Sequence, residues 1–174
     1  MTPRQLVFST ATVDDVAALA RLHVEIAADL THRHGEGHWS RMPTEKEIFR
    51  RIATSRVIVA RDPENHIVGT LELATKKPWA IDRAFFTPVK RPLYLLNMAV
   101  TPPQQRGGIG RRCLDEAARV ARAWPAQSIC LDAYDAPAGA GEFYAHCGYR
   151  EAGRKVYLGV PLVYYECLIQ STSD

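Results

Sequence analysis

The residues with the most chemistry to offer stand in one short run, Gln105-Arg106-Gly107-Gly108-Ile109-Gly110-Arg111. Ahead of it lies an apolar stretch, Leu93 to Val100, interrupted by Asn97 and closed by Thr101-Pro102-Pro103. Behind it, from Arg111 to Ala123, the residues Cys113, Leu114, Ala117, Ala118 and Ala121 recur at helical spacing. The pattern predicts a strand, a glycine-rich turn and a helix in direct succession. The first N–H groups of such a helix have no partner within it, and the helix dipole places partial positive charge on them. Glycines let an anion approach the bare main chain, and Arg106 and Arg111 add charge-assisted donors. The chemistry indicated is the binding of a phosphate or a pyrophosphate.

Two nucleotide motifs fail on the residues. A Walker loop needs Gly-Lys followed by Ser or Thr, and the chain has no such run. A dinucleotide fingerprint needs a third glycine, but Gly108-Ile109-Gly110 is followed by Arg111-Arg112-Cys113.

The elements that must position this run are legible on both sides. Leu6-Val7-Phe8 reads as a short strand, and Thr12 with Asp15 as a capping pair. Val16, Leu19, His23, Ile26 and Leu30 then predict an amphipathic helix over about 13–31, with His23 on its apolar face. His32 to Trp39 breaks that helix with two glycines. Thr44 and Glu47 open a second helix, expected to bury Ile48, Phe49 and Ile52. Val57–Ala60 and Ile67–Ala74 flank the turn Asp62-Pro63-Glu64-Asn65 as a hairpin. Lys76 to Pro92 carries three prolines and several aromatics, too much for a plain connector. Ser128 to Tyr134 is a further strand, Ala138 to His146 a short helix before Gly148, and strands near 155–160 and 163–169 end the chain. No repeat or linker interrupts the order, which gives one domain over 1–174.

Composition agrees with a globular protein. At 174 residues the chain can bury most of its unfolded surface without disulfides or metal. Apolar residues make up 47% and charged residues 24%, which excludes disordered and low-complexity classes. Lys and Arg number 22 against 19 Asp and Glu, a net +3 with no basic block, so nucleic acid is not an expected partner. Cys113, Cys130, Cys147 and Cys167 show no zinc spacing and read as reduced thiols. The three histidines at 32, 34 and 38 lack a carboxylate-rich partner, so no metal is expected. The opening MTPRQLVFSTATVDD has no apolar core of a signal peptide, and no run approaches the roughly 18 apolar residues of a membrane span. The expected location is the cytoplasm, with no membrane partner.

The stretch Val100-Thr101-Pro102 followed by Gln105-Arg106-Gly107-Gly108-Ile109-Gly110 resembles motif A of the GNAT superfamily, the acyl-CoA-dependent N-acetyltransferases. A second segment matches independently: Phe143-Tyr144-Ala145-His146-Cys147-Gly148-Tyr149 is similar to the Tyr-x-x-x-Gly-aromatic segment of that superfamily. The resemblance implies an α/β (α+β) GNAT fold: a mixed, mostly antiparallel sheet of about six or seven strands, splayed between the fourth and fifth, with about four helices on its faces. It implies acetyl-CoA as donor. Gln105, Arg106, Gly107, Gly108, Ile109 and Gly110 would wrap the pyrophosphate with Arg111 beside them, and Met98, Ala99 and Val100 would lie along the pantetheine arm. Tyr144 would contact the cofactor and protonate the leaving thiolate. One departure stands out: members carry an Asn where this chain has Pro137, which leaves that contact to the small-residue backbone or to Asp135.

Acetyl transfer to an amine also needs a base, because an alkyl amine with a pKa of about 10 is largely protonated at neutral pH. A tyrosine suffices as acid, and the backbone N–H of Met98 is suited to polarise the thioester carbonyl. Asn97 stands where relatives place a carboxylate and takes up a proton poorly, so Glu72, acting through water, is the favoured base. Glu25, His32, His34 and His38 are the other choices on the acceptor side, and Glu72 also reads as a solvent-facing strand residue. His34, Trp39, Trp79, Phe85 and Asn97 are the acceptor-binding candidates; the aromatics among them read equally as anchors of long segments. The expected function is an N-acetyltransferase acting on a small-molecule or peptide amine. An acyl-CoA-binding sensor without catalysis is the alternative, and a homodimer stays open.

Overall fold

Local sequence signals set most of the element ends. The structure, a computed structural model, describes residues 5–170. Residues 1–4 and 171–174, which the single-domain reading takes in, lie outside the described residues. The strands are β1 (Val7–Thr10), β2 (Arg56–Arg61), β3 (Ile67–Ala74), β4 (Pro92–Val100), β5 (Ser128–Tyr134), β6 (Arg150–Tyr157) and β7 (Val160–Leu168). The helices are α1 (Val16–His34), α2 (Glu45–Thr54), α3 (Ile109–Ala123) and α4 (Gly141–His146), with short 3-10 turns between elements. The sheet order is β1-β2-β3-β4-β5-β7-β6. β1, β2 and β3 pair antiparallel in sequence, as do β5 with β7 and β6 with β7. β4 and β5 run parallel, in register only from Pro92–Ser128 to Tyr94–Cys130, although both strands continue beyond that point. That is the expected mixed sheet with its splay. No helix among the described residues is long and apolar enough to cross a membrane.

The chain divides into two compact units. The first holds residues up to Leu73 together with Asn97–Glu116. Its core packs Leu19 of α1 and Ile48 of α2 against Val57 and Val59 of β2. Thr44 caps α2 through the reciprocal bonds the sequence predicts: its hydroxyl accepts from Glu47 N at 3.2 Å, and Glu47 Oε2 accepts from Thr44 N at 2.8 Å. The hairpin turn is also as expected, with Asp62 Oδ1 accepting from His66 N at 2.8 Å. Phe49 is a correction. It is 53% exposed, because it sits about 100° around the helix from Ile48, off the face that meets the sheet. α1 also runs three residues past the expected stop, to His34, before Gly35 takes a positive φ.

The second unit holds Ala74–Leu96 and the residues from Ala117 onward. Its core gathers Ile81, Phe86, Tyr94, Cys130, Leu162 and Tyr164. The long β3–β4 connection is therefore an ordered strap rather than a solvated loop. Tyr164 Oη donates to Ala80 O at 2.5 Å, and the Tyr164 ring meets Phe85 edge-on and Phe86 at a tilt. Glu166, 1% exposed, pins the strap's end by accepting from Thr87 N at 2.9 Å and Thr87 Oγ1 at 2.7 Å, and it pairs with Arg150. Two further corrections fall here. The last two strands begin earlier than expected, because the turn lies at Leu158-Gly159, both at positive φ, and Pro161 sits within β7 opposite Val156. The short helix starts at Gly141 rather than 138, since Ala136 to Gly139 forms a turn of its own.

Burial pushes the Glu166 carboxyl up, while the donations from Thr87 and Arg150 outweigh it and hold the group below its usual range. Replacing it by Gln should cost about 2 kcal/mol at neutral pH in urea unfolding. The gap between wild type and Glu166→Gln should persist above the ordinary glutamate value of about 4.3 and close as pH falls through the lower folded value.

Candidate active site

The glycine-rich turn behaves as its residues require. Thr101 N donates to Val68 O at 3.0 Å, tying the end of β4 to β3. Pro102–Gln104 then forms a 3-10 turn, and Gln105 Nε2 returns to Val100 O at 3.1 Å. Arg106 and Gly108 take positive φ values of 62° and 82°. α3 follows at once, with Arg112 N donating to Gly108 O at 3.2 Å. The amides of Ile109 and Gly110, in the first turn, precede any carbonyl the helix offers them. Gly69 on β3 seats this turn: a Cβ there would stand 3.3 Å from Ile109 Cγ2 and 3.4 Å from Cys113 Sγ. Ile109 and Cys113 are buried, whereas Gln105 to Gly108 are exposed. The turn thus presents main chain outward from a fixed base. Cys113 is no nucleophile, since burial drives its thiol up to about 12.

Glu72 lies in the same unit and is buried, at 8% exposure, not solvent-facing. Its Oε1 lies 2.6 Å from Ser55 Oγ and its Oε2 accepts from Asn97 Nδ2 at 2.7 Å. Asn97 bends β4 with φ 49° and is itself exposed, so its amide covers the buried carboxylate. Glu72 and Asn97 line a recess of about 10 Å³ with Leu19, His23, Ile48, Arg51, Val57 and Thr70, roughly the room of one water. Met98, Ala99 and Val100 follow on the same strand and are half-buried. Burial, and secondarily the Arg51 guanidinium, lowers His23 from 6.5 to about 4, so it is neutral at physiological pH. Sequence reasoning missed Ser55: a serine after a helix carries no signal of a partner seventeen residues on. His23, which the sequence puts on the apolar face of α1, borders the recess beside the core residues Leu19 and Ile48.

His34 and Trp39 come together, ring edge to face at 6.5 Å, and Trp39 Nε1 donates to Gly35 O at 2.9 Å. Among the described residues no group of three or more His, Cys, Asp or Glu is arranged to hold a metal.

In the second unit, α4 holds Tyr144 at 8% exposure with its ring 5.9 Å from that of Tyr149 and 6.0 Å from that of Tyr165. Asp135 pairs with Arg154, both carboxylate oxygens at 3.0 Å from Nη1. Trp79, 84% exposed, lines a cleft of about 390 Å³ with Lys77, Asp82, Arg83, Lys155 and Tyr157. Phe85 does not line it; its ring packs edge-on against Tyr164 while 37% of its surface stays exposed.

A strand that ends in a glycine-rich turn and opens a helix, within a mixed seven-stranded sheet, is the frame that carries these residues. A family model described as an acetyltransferase (GNAT) domain matches residues 53–151, and the chain belongs to the GNAT family of acetyltransferases. No curated protein sequence matches it. Solved structures of the same fold include a GNAT acetyltransferase from Listeria monocytogenes, 16% identical, covering 94% of each chain at TM-score 0.73. The ribosomal-protein-S18-alanine N-acetyltransferase from Escherichia coli is 15% identical over 98% of this chain and 97% of its own, at TM-score 0.71. The Salmonella typhimurium protein yncA, solved with its cofactor acetyl-CoA, is 14% identical over 98% and 97%, at TM-score 0.69. The family draws its acetyl group from acetyl-CoA, and the turn fits that donor. Nothing lies within 4 Å of where a Cβ at Gly108 would stand, so the cradle is open above its amides.

The recess makes a direct prediction for His23. Its imidazole should titrate near pH 4 by NMR rather than near 6.5. In the unfolded chain it protonates below about 6.5. Wild-type stability should therefore decline between pH 6.5 and 4 more steeply than that of His23→Gln.

Proposed function

We propose that this chain moves the acetyl group of acetyl-CoA to a primary amine of a small molecule or peptide, with both substrates bound together. The observation that carries the reading is the outward-facing amide turn at Gln105–Gly110, built onto the same unit as the buried Glu72. Bound acetyl-CoA supplies a thioester carbonyl for the amine to attack and a thiolate that departs. Gln105, Arg106, Gly107, Gly108, Ile109, Gly110 and Arg111 hold its pyrophosphate, and Met98, Ala99 and Val100 offer their backbone to the pantetheine arm. Asp135 serves the cofactor in place of the family's Asn. Its pairing with Arg154 means that this service competes with an ion pair.

Glu72 is the base. It is buried and bordered by a recess of about one water, and it takes the ammonium proton through a water held there. Asn97 holds its Oε2 in place. Tyr144, kept rigid by its aromatic neighbours, gives its phenolic proton to the departing sulfur and regains one from the proton that nitrogen sheds as the amide forms. His34, Trp39, Trp79 and Phe85 contact the acceptor. The Trp79 cleft carries three cations against one carboxylate, which favours an amine bearing an acidic group over a polyamine. The whole chain acts as one catalytic domain in the cytoplasm, alone or as a homodimer, with no part for metal, nucleic acid or membrane.

Release of CoA measured across a panel of amines tests the activity; tight binding of acetyl-CoA with no turnover on any amine would instead make the chain a sensor. Tyr144→Phe should lower kcat about 100-fold with the Kd for CoA unchanged, and an unaltered kcat removes Tyr144 as the acid. Gly108→Glu should abolish CoA binding in calorimetry while leaving the circular dichroism spectrum intact, because it puts bulk and negative charge over the amides.

A further inference from the structure

Ser55 stands at the end of α2 with its hydroxyl oxygen between two acceptors. Oγ lies 2.7 Å from Arg51 O and 2.6 Å from Glu72 Oε1. A serine hydroxyl has one hydrogen, a backbone carbonyl only accepts, and an ionised carboxylate only accepts. The two short contacts therefore cannot both be hydrogen bonds while Glu72 is charged. With Glu72 ionised, the hydrogen belongs on Oε1, where it makes the stronger, charge-assisted bond, and Arg51 O keeps its bond from Ser55 N at 2.9 Å. With Glu72 protonated on Oε1, the new O–H points at Ser55 Oγ, and the serine hydrogen swings to Arg51 O. Every group is then satisfied without moving a heavy atom. Asn97 Nδ2, donating to Oε2 in both states, leaves Oε1 as the oxygen whose proton has an acceptor in line.

We infer that Ser55 is a positioning residue whose hydroxyl reorients between Glu72 and Arg51 O as Glu72 gains and loses the acceptor's proton. The inference rests on Glu72 being the base. The balance is simple: the ammonium loses H⁺ to Oε1, giving a neutral amine and a neutral carboxylic acid, and the acid later returns that H⁺ to solvent. The serine keeps its own hydrogen throughout. Such a rotor lets a buried carboxylate change charge with no orphaned polar atom in either state, a cost that burial otherwise imposes. The other titratable or charged groups facing the recess among the described residues are His23 from α1, neutral at physiological pH, and Arg51 from α2.

The test compares wild type, Ser55→Ala and Ser55→Thr. The extended backbone at this position, φ −144°, accepts a β-branched residue, and threonine keeps the hydroxyl. In apo-protein carrying carboxyl-labelled glutamate, with the Glu72 signal assigned through Glu72→Gln, Ser55→Ala should raise the Glu72 midpoint by about one pH unit, and Ser55→Thr should restore it. In the pH profile of kcat/KM with acetyl-CoA and an amine that wild type acetylates, the acidic limb should move by the same amount and return with Thr. At pH 7 the Ala variant should lose about tenfold in kcat with KM for acetyl-CoA unchanged. A Glu72 midpoint that does not move in Ser55→Ala overturns the inference, whatever the kinetics. A midpoint that moves while the rate profile stays put overturns Glu72 as the base, and with it the part given to Ser55 in turnover.

Discussion

The site depends on how closely the start of α3 can approach β3. At Gly69 the sheet has no side chain, and a single added carbon would press on Ile109 and Cys113. That contact, with Thr101 N fixed on Val68 O, sets where β4 ends and where the helix begins. The consequence is electrostatic as much as steric. A helix start buried on its inner side and bare on its outer side directs partial positive charge into solvent from a rigid base. On the proposed reading, affinity for a diphosphate would come from main chain that cannot relax away, with little ordering entropy left to be lost on binding.

The second feature of the same unit is a carboxylate taken out of water. Glu72 is buried, yet each of its oxygens has a partner, and its neighbours include a histidine held neutral and a recess of roughly one water. A buried charge is tolerable only when its hydrogen bonds are complete, and a base must also be tolerable when that charge is gone. A hydroxyl meets both demands where an ammonium or an amide meets only one, since it both donates and accepts. Asn97 contributes through its backbone as well as its amide: the left-handed kink at φ 49° turns β4 and carries the side chain over Glu72.

The second unit shows the same economy. Its long strap is held by one fully buried acid, Glu166, and one buried phenol, Tyr164, so that seventeen residues without a strand or α-helix still pack as core. Tyr144 sits in a short helix whose rigidity comes from ring packing against Tyr149 and Tyr165, since a six-residue helix has too few hydrogen bonds to hold itself.

What the sequence determined by itself was whatever is written in neighbouring residues. The strand–turn–helix around Gln105–Gly110, the Thr44 and Glu47 cap, the Asp62–Asn65 hairpin and the order of elements all depend on spacings of two to four residues, and all are found where the residues put them. The family likeness rested on two such local segments. Errors arose where a distant partner decided. Phe49 was misjudged because periodicity gives a helix's apolar stripe but not how wide a face the sheet will cover. The β6–β7 turn was misplaced because the pairing register of the two strands fixes it. The surroundings of Glu72 were invisible, since Ser55, Asn97 and His23 meet it from a helix end, a strand and another helix. Only folding brings together groups so far apart in the chain, and only their distances and shared hydrogen atoms define what the carboxylate can do.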